Sequence, residues 1–338
     1  MMSVITLGEI LMRLSTTQHQ RFQACAPLAC HYGGAEMNVA IGLSGFGVST
    51  AMITGLPKNA LGNIIIQTLH RYNVNTKNVF QKEGRLGLYF VEEGFGQRAP
   101  KIIYDREHSV FNQMTLEDIH IEQMLHDYDW FHFTGITPAL NDTLFKLMKK
   151  ITRIAKQQGM TISCDLNYRA QLWDFQTARD KMSELLPDVD IIFGYEPLNL
   201  INIATGEDKK DTLSRNPSLD DLRPILKEIH ELYDLRYIAF TQRKIFNHKR
   251  NRLQSFISTT HEMVKSPCVD VEILERVGTG DAFSVGVLYG LIQQWSLQET
   301  VNFGLKNMCY KHTIHGDYCY ATLDEVQSMQ FNGSDINR

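Results

Sequence analysis

The sequence predicts an α/β fold: a three-layer α/β/α sandwich around a mostly parallel central sheet, with a small antiparallel sheet set apart as a lid. Three observations predict it. Short apolar runs alternate with longer amphipathic ones along most of the chain. A glycine-rich turn, Val277-Gly278-Thr279-Gly280-Asp281, opens directly into a helix-patterned run near the carboxyl end. Two further stretches, Phe22–Tyr32 and Leu86–Tyr104, read as short strands with no helix between them.

Taken in order, Val4–Gly8, Thr50–Gly55, Trp130–Gly135, Thr161–Leu166, Asp190–Gly194 and Tyr237–Thr241 carry the apolar character of buried strands. Between them Ala35–Phe46, Ala60–Tyr72, Asn141–Gln158, Ala178–Leu186 and Asp220–Tyr233 repeat their apolar residues at helical spacing. Strand–helix alternation demands a parallel sheet covered on both faces. Ligands of such a sheet gather beyond the carboxyl ends of its strands. The two helix-free stretches, the second turning near Glu93-Gly94-Phe95-Gly96, supply the lid, whose exposed edge could pair with another subunit. The polar run Thr205–Asn216 reads as a surface loop. With no repeat and no low-complexity linker, one domain over residues 1–338 is expected, with lid segments at about 12–32 and 86–108.

Of 338 residues, 43% are hydrophobic, enough for a substantial core. The formal charge of −4 gives no sequence-wide case for nucleic acid or membrane binding. The basic cluster Arg243–Arg252 reads as a solvated turn between strands. Six scattered cysteines form no C-x-x-C pair, and only Cys25 and Cys30 lie close, so reduced thiols are expected. Glu9 interrupts the first apolar run, and no stretch approaches the length of a membrane span. A soluble, cytoplasmic protein follows.

The turn at Gly278–Asp281 admits two readings. Gly-x-Gly-Asp fits an ordinary loop with Asp281 as a helix cap. It equally fits an anion site, because glycines expose successive amides and the helix start adds unpaired N–H groups and its positive dipole end. A carboxylate at the rim of such a site suits phosphoryl transfer, with Asp281 as base. The histidines His108, His126, His132, His312 and His315 do not fall at metal-binding spacing.

Gly8-Glu9, the Gly33-Gly34…Asn38 turn, Gly55…Gly62 and Gly278-Thr279-Gly280-Asp281 occur in this order. In them the chain resembles the ribokinase-like (PfkB) carbohydrate kinases over nearly its whole length. Gly33-Gly34-Ala35-Glu36, Tyr89, Tyr104-Asp105-Arg106, Asp165-Leu166-Asn167-Tyr168-Arg169 and Lys311-His312-Thr313-Ile314-His315-Gly316-Asp317 are most similar to the 2-keto-3-deoxygluconate kinases of that family. The resemblance implies Asp281 as catalytic base, supported by Gly278, Thr279 and Gly280. It implies a sugar-acid site at Gly33, Gly34, Asn38, Tyr89, Tyr104, Arg106, Asn167 and Arg169. ATP would lie along Thr241, Arg243, Gly278, Gly280 and Asn307, with Mg²⁺ near Glu196, and a homo-oligomer would form through the lid. A sugar acid needs a cation, and the planar fork of arginine suits a carboxylate, which favours Arg106 and Arg169 as its readers. A kinase for a neutral sugar such as fructose or ribose, and a non-catalytic sensor on the same fold, are the competing readings.

The family pattern is broken in three places. Gly194-Tyr195-Glu196-Pro197 stands where many members carry Asn-x-x-Glu. Gln242-Arg243-Lys244-Ile245-Phe246-Asn247 replaces a glycine-bearing turn, and reads as basic side chains against phosphates or as a long loop. Glu275 and Thr279 replace the commoner Asp and Ala, which leaves open the K⁺ that some relatives bind beside this turn.

Overall fold

A computed structural model describes residues 2–24, 27–214, 217–247 and 249–331. Cys25 and the end of the Thr205–Asn216 run lie outside the described residues. The remaining five cysteines are free thiols.

Among the described residues the large sheet has eleven strands. Its central strands run parallel in the order Tyr237–Asn247, Ile191–Phe193, Thr161–Asp165, Trp130–Thr134, Ser3–Leu7, Ser49–Pro57 and Val74–Asn75. Val79–Lys82 adds in parallel to the far end of Ser49–Pro57. Beyond Tyr237–Asn247 the direction reverses: Arg250–Ser258 pairs antiparallel with it and carries Met263–Lys265 and Val269–Glu272 on its outer side.

Alternation along the strands divides the core in two. Ile5, Leu7, Phe131, Phe133 and Ile162 face one side, against Leu144, Met148 and Ile151 of the helix Asp142–Gln157. Val4, Trp130, Ile191 and Ala239 face the other, against Val39 and Leu43 of Ala35–Gly45 and Val285 and Leu288 of Thr279–Ile292. Both faces are therefore apolar, which is why these strands read as continuous hydrophobic runs and not as alternating ones. The basic cluster after Thr241 is not a long loop. The strand continues through Asn247 and folds back as Arg250–Ser258, with Arg243 opposite Leu253.

The small sheet has the order Leu28–Gly33, Leu11–Thr16, Gly87–Glu92, Lys101–Asp105. Both outer pairings are antiparallel, and a parallel seam, Leu11 on Gly87 through Ser15 on Val91, joins the halves. The strand Leu11–Thr16 lies outside the Phe22–Tyr32 stretch read from sequence, and Phe22 stands in a turn before Leu28–Gly33. Leu28, Ile102 and Ile103 on its edge strands are exposed. Among the described residues no helix is long and apolar enough to cross a membrane.

Candidate active site

A cavity of about 1380 Å³ opens beyond the carboxyl ends of the parallel strands, between them and the small sheet. Glu9 follows the first strand, while Asp165 and Asn167 close the strand Thr161–Asp165. Asn167 holds a left-handed φ of 38°, and its amide donates to Asp165 Oδ1 at 3.0 Å.

The glycine-rich turn forms the floor. Gly278 is the residue before the helix Thr279–Ile292, with φ of 76°. A β-carbon on Gly278 would stand 1.6 Å from the Asp317 carbonyl oxygen, so only glycine lets the two backbones approach. Glu275 Oε1 accepts the amides of Arg276 (3.0 Å) and Val277 (3.2 Å), and Thr279 Oγ1 donates to the Arg276 carbonyl at 3.0 Å. Side chains thus fold the turn from within. The amides at positions 280 and 281, in the first helical turn, have no intrahelical acceptor and can meet an anion.

Asp281 stands in that first turn. Its Oδ2 accepts a 2.6 Å hydrogen bond from Asn38 Nδ2, which comes from the helix Ala35–Gly45 on the opposite wall. Burial pushes the Asp281 carboxyl up to about 6, opposed by the Asn38 hydrogen bond and by the Arg169 guanidinium. Asp165 is pushed up to about 7 by burial and by the charge of Asp281. Glu36, which accepts the Thr134 amide (3.0 Å) and hydroxyl (2.7 Å), is likewise raised by burial to about 7. A carboxylate poised just below neutrality, beside a helix N-terminus, can take a proton from an attacking hydroxyl.

The two arginines expected to read a substrate carboxylate differ. Arg106 is 8% exposed and gives its Nε (2.8 Å) and Nη2 to Glu9 Oε2, while Ser109 fills Glu9 Oε1 at 2.5 Å. Its charge is already matched inside the protein. Arg169 is exposed on the cavity wall, and among the described residues it forms no ion pair; its one recorded donation goes to the Tyr168 carbonyl at 3.2 Å. Tyr89 and Tyr104 stack at 5.8 Å on the small-sheet wall, and the Tyr89 hydroxyl donates to Asp317 Oδ2 at 2.5 Å. Gly33 and Gly34 also line the cavity, where a β-carbon on Gly34 would meet the Glu9 carbonyl oxygen at 2.2 Å.

Arg243 lines the cavity next to Arg276, and burial together with that neighbouring charge lowers its guanidinium. Two adjacent cations near the turn suit phosphate oxygens. Three expected positions stand away from the cavity. Asn307 is fully buried and donates to the Ala282 carbonyl at 2.7 Å, so it supports the helix that carries Asp281. Thr241 lies in the strand interior, paired with Ser255. Glu196 is held by Arg179 (2.6 and 3.3 Å) and by the Leu198 amide at 3.0 Å, so its carboxylate is spoken for by an internal ion pair.

Sequence reasoning passed over Arg13, and tied Glu275 only to the K⁺ question and Asp317 only to the family resemblance; the three together form the buried joint between small sheet and turn. Arg13, 2% exposed in the strand Leu11–Thr16, reaches Glu275 Oε2 through Nη1 and Asp317 Oδ1 through Nε, each at 3.0 Å. The available signal was a lone arginine among apolar neighbours, Leu11-Met12-Arg13-Leu14.

Residues 1–241 match the family model described as pfkB family carbohydrate kinase. The chain belongs to that family. The match ends before the Gly278–Asp281 turn, but relatives of this pfkB kinase align over its full length. It is 29% identical over 331 residues to a 2-dehydro-3-deoxygalactonokinase of Haloferax volcanii, covering 98% of this chain and 97% of that one. The crystal structure of a 2-dehydro-3-deoxygluconokinase of Thermotoga maritima superposes with a TM-score of 0.89 at 31% identity, covering 97% and 98% of the two chains. A PfkB family carbohydrate kinase of Listeria grayi gives 0.86 at 33% identity, with 96% and 98% covered. This chain is a carbohydrate kinase with a ribokinase-like fold.

Proposed function

We propose that this kinase transfers the γ-phosphoryl group of ATP to the terminal hydroxyl of 2-keto-3-deoxy-D-gluconate, giving the 6-phosphate in a step of sugar-acid catabolism. The observation that carries the sugar-acid reading is Arg169: a guanidinium on the cavity wall that forms no ion pair among the described residues, close enough to Asp281 to oppose the rise of its carboxyl. A neutral sugar offers such a cation only hydroxyl oxygens, whereas a carboxylate matches its charge and accepts its fork. Gly33, Gly34, Asn38 and Asn167 flank the same space, with Tyr89, Tyr104 and Arg106 as its far wall. The kinases named above from Haloferax volcanii and Thermotoga maritima act, by their names, on the galactonate and gluconate epimers, and support a keto-deoxy acid.

Asp281 takes the proton of the substrate hydroxyl as that oxygen bonds to the γ-phosphorus and the bond to the β–γ bridging oxygen breaks, releasing ADP. The amides of the Gly278–Asp281 turn face the phosphoryl oxygens, and Arg243 accompanies the remaining phosphates. The small sheet acts as a lid over the cavity and keeps water from competing as acceptor. Mg²⁺ would arrive with the nucleotide. Among the described residues no three His, Cys, Asp or Glu side chains converge on a cage, so the phosphates would supply most of its ligands. The exposed Leu28, Ile102 and Ile103 of the lid edges give a homo-oligomer its contact.

The test is a panel of 2-keto-3-deoxygluconate, its galactonate epimer, gluconate, fructose and ribose with ATP. Turnover is expected on the keto-deoxy acids. Arg169→Met is expected to lower kcat/KM for them by about 10- to 100-fold, the worth of a charge-assisted pair, chiefly through KM. Preferred turnover of fructose or ribose, untouched by Arg169→Met, would reject the sugar-acid assignment.

A further inference from the structure

The family resemblance raises a K⁺ ion beside the turn, and the residues present do not fit one. A monovalent cation needs converging oxygens with free lone pairs and no competing positive charge. Here Glu275 Oε2 is taken by Arg13 Nη1 at 3.0 Å, and Oε1 by the amides of Arg276 and Val277. Asp317 Oδ2 accepts the Tyr89 hydroxyl, and Oδ1, which makes no hydrogen bond, stands 3.0 Å from Arg13 Nε, so the competing positive charge there is already in place. On the other side of the turn the Ile314 carbonyl accepts Lys311 Nζ at 3.1 Å.

Lys311 is 0% exposed at the end of the helix Leu297–Lys311, where the helix dipole favours a cation. The acidic groups that influence it are Glu275 and Asp317, with Cys319 and the like charge of Arg13 as its other titratable neighbours. It also acts on Asp281, whose carboxyl it helps to hold down. Three carboxylates, Glu275, Asp281 and Asp317, thus meet around the turn with two buried cations among them. Without those cations the carboxylates would be buried and uncompensated, in a loop that has to admit phosphate.

We infer that Arg13 and Lys311 are a built-in cation pair that holds the Glu275–Asp281 turn in its anion-binding shape, in the place a monovalent ion would take. Both are positioning residues, because they act through Glu275, Asp317 and the Ile314 carbonyl and not on the substrate. The inference rests on the phosphoryl-transfer reading of the turn but not on which sugar acid is used.

Steady-state rates with whichever acceptor turns over, in a tetramethylammonium buffer with and without KCl, test it. The wild-type kcat is expected to be the same in both. Lys311→Met is expected to lose roughly tenfold to a hundredfold in kcat with little change in the sugar KM, through a turn held out of place. Part of that loss should return on adding K⁺ or ammonium. Melting of the wild type in the two buffers, which needs no turnover, should coincide, since an ion bound only by the folded state would raise the transition. Activation of the wild type by K⁺, a K⁺-specific rise in melting, an unimpaired Lys311→Met, or a loss that no cation restores would each overturn the inference. If no acceptor turns over, the melting comparison still decides the ion question, and the failure then belongs to the kinase reading of the turn.

Discussion

Asp281→Asn is expected to lower kcat by about 10²- to 10⁴-fold while sugar and nucleotide still bind, the usual contribution of a positioned general base. The asparagine keeps the volume and can still hydrogen-bond Asn38, so calorimetric binding should survive where turnover does not. The wild-type rate should fall as pH drops through about 6, because burial raises the carboxyl to that value and protonation removes the base. The same shift has a consequence for stability. The folded value lies above the ordinary 3.8, so the folded state holds the proton more tightly. The carboxyl therefore favours folding below its ordinary value, and that advantage is lost as pH rises through about 6. Asp281→Asn should accordingly melt higher than wild type at about pH 8 and lose that margin toward about pH 4. A variant with full turnover would remove Asp281 from the chemistry.

Gly278→Ala is expected to be the most damaging single methyl group in the chain. Its φ of 76° is costly for any residue with a β-carbon, and the added atom would lie 1.6 Å from the Asp317 carbonyl oxygen. Left-handed strain together with overpacking comes to about 2–5 kcal/mol, read as a shift in the denaturant midpoint. Activity should be lost with it, because the turn can relieve the clash only by leaving Asp317. Gly280→Ala is the control: a β-carbon there meets nothing within 4 Å, and the residue is exposed. That variant should fold as well as wild type and lose activity only so far as the methyl crowds the phosphate. Equal stability of the two variants would contradict the close approach at Gly278.

Most of the parallel layer was legible because its central strands are buried on both faces and helices such as Asp142–Gln157 repeat their apolar residues at the period of a covered face; the short, partly exposed edge strands Val74–Asn75 and Val79–Lys82 were not. That Asp281, Gly278 and Asn38 would stand at one cavity was legible for a related reason: glycine turns that feed helices are local features of the sequence. Ion pairs across the fold were not. Arg106 and Glu9 are 97 residues apart, and Arg13 and Glu275 are 262 apart, so neither sequence neighbourhood announces the other. Arg106 therefore read as a free cation like Arg169, although among the described residues only Arg169 lacks an ion-pair partner. Glu196 misled similarly, since its partner Arg179 sits on the preceding helix with nothing in the local pattern to mark it. The run Gln242–Asn247 read as a loop because basic residues suggest solvent. Its strand character comes from pairing with Arg250–Ser258, and the outward side chains remain solvated.

The parallel seam of the small sheet also orders events in time. A parallel pair cannot close through a tight turn, and here the connection between Leu11–Thr16 and Gly87–Glu92 contains two helices and three strands of the large sheet besides the small-sheet strand Leu28–Gly33. The small sheet can therefore be completed only after part of the large one. Even then Arg13 and Tyr89 point at partners that a growing chain has not yet made, for Glu275 and Asp317 follow far later. A nascent polypeptide can own its whole sugar wall and still lack the joint that shapes the phosphate turn. On the proposed role of the turn, competence for phosphoryl transfer would come late in synthesis and all at once, and a ribosome-bound fragment that stops short of Asp317 is expected to show no kinase activity.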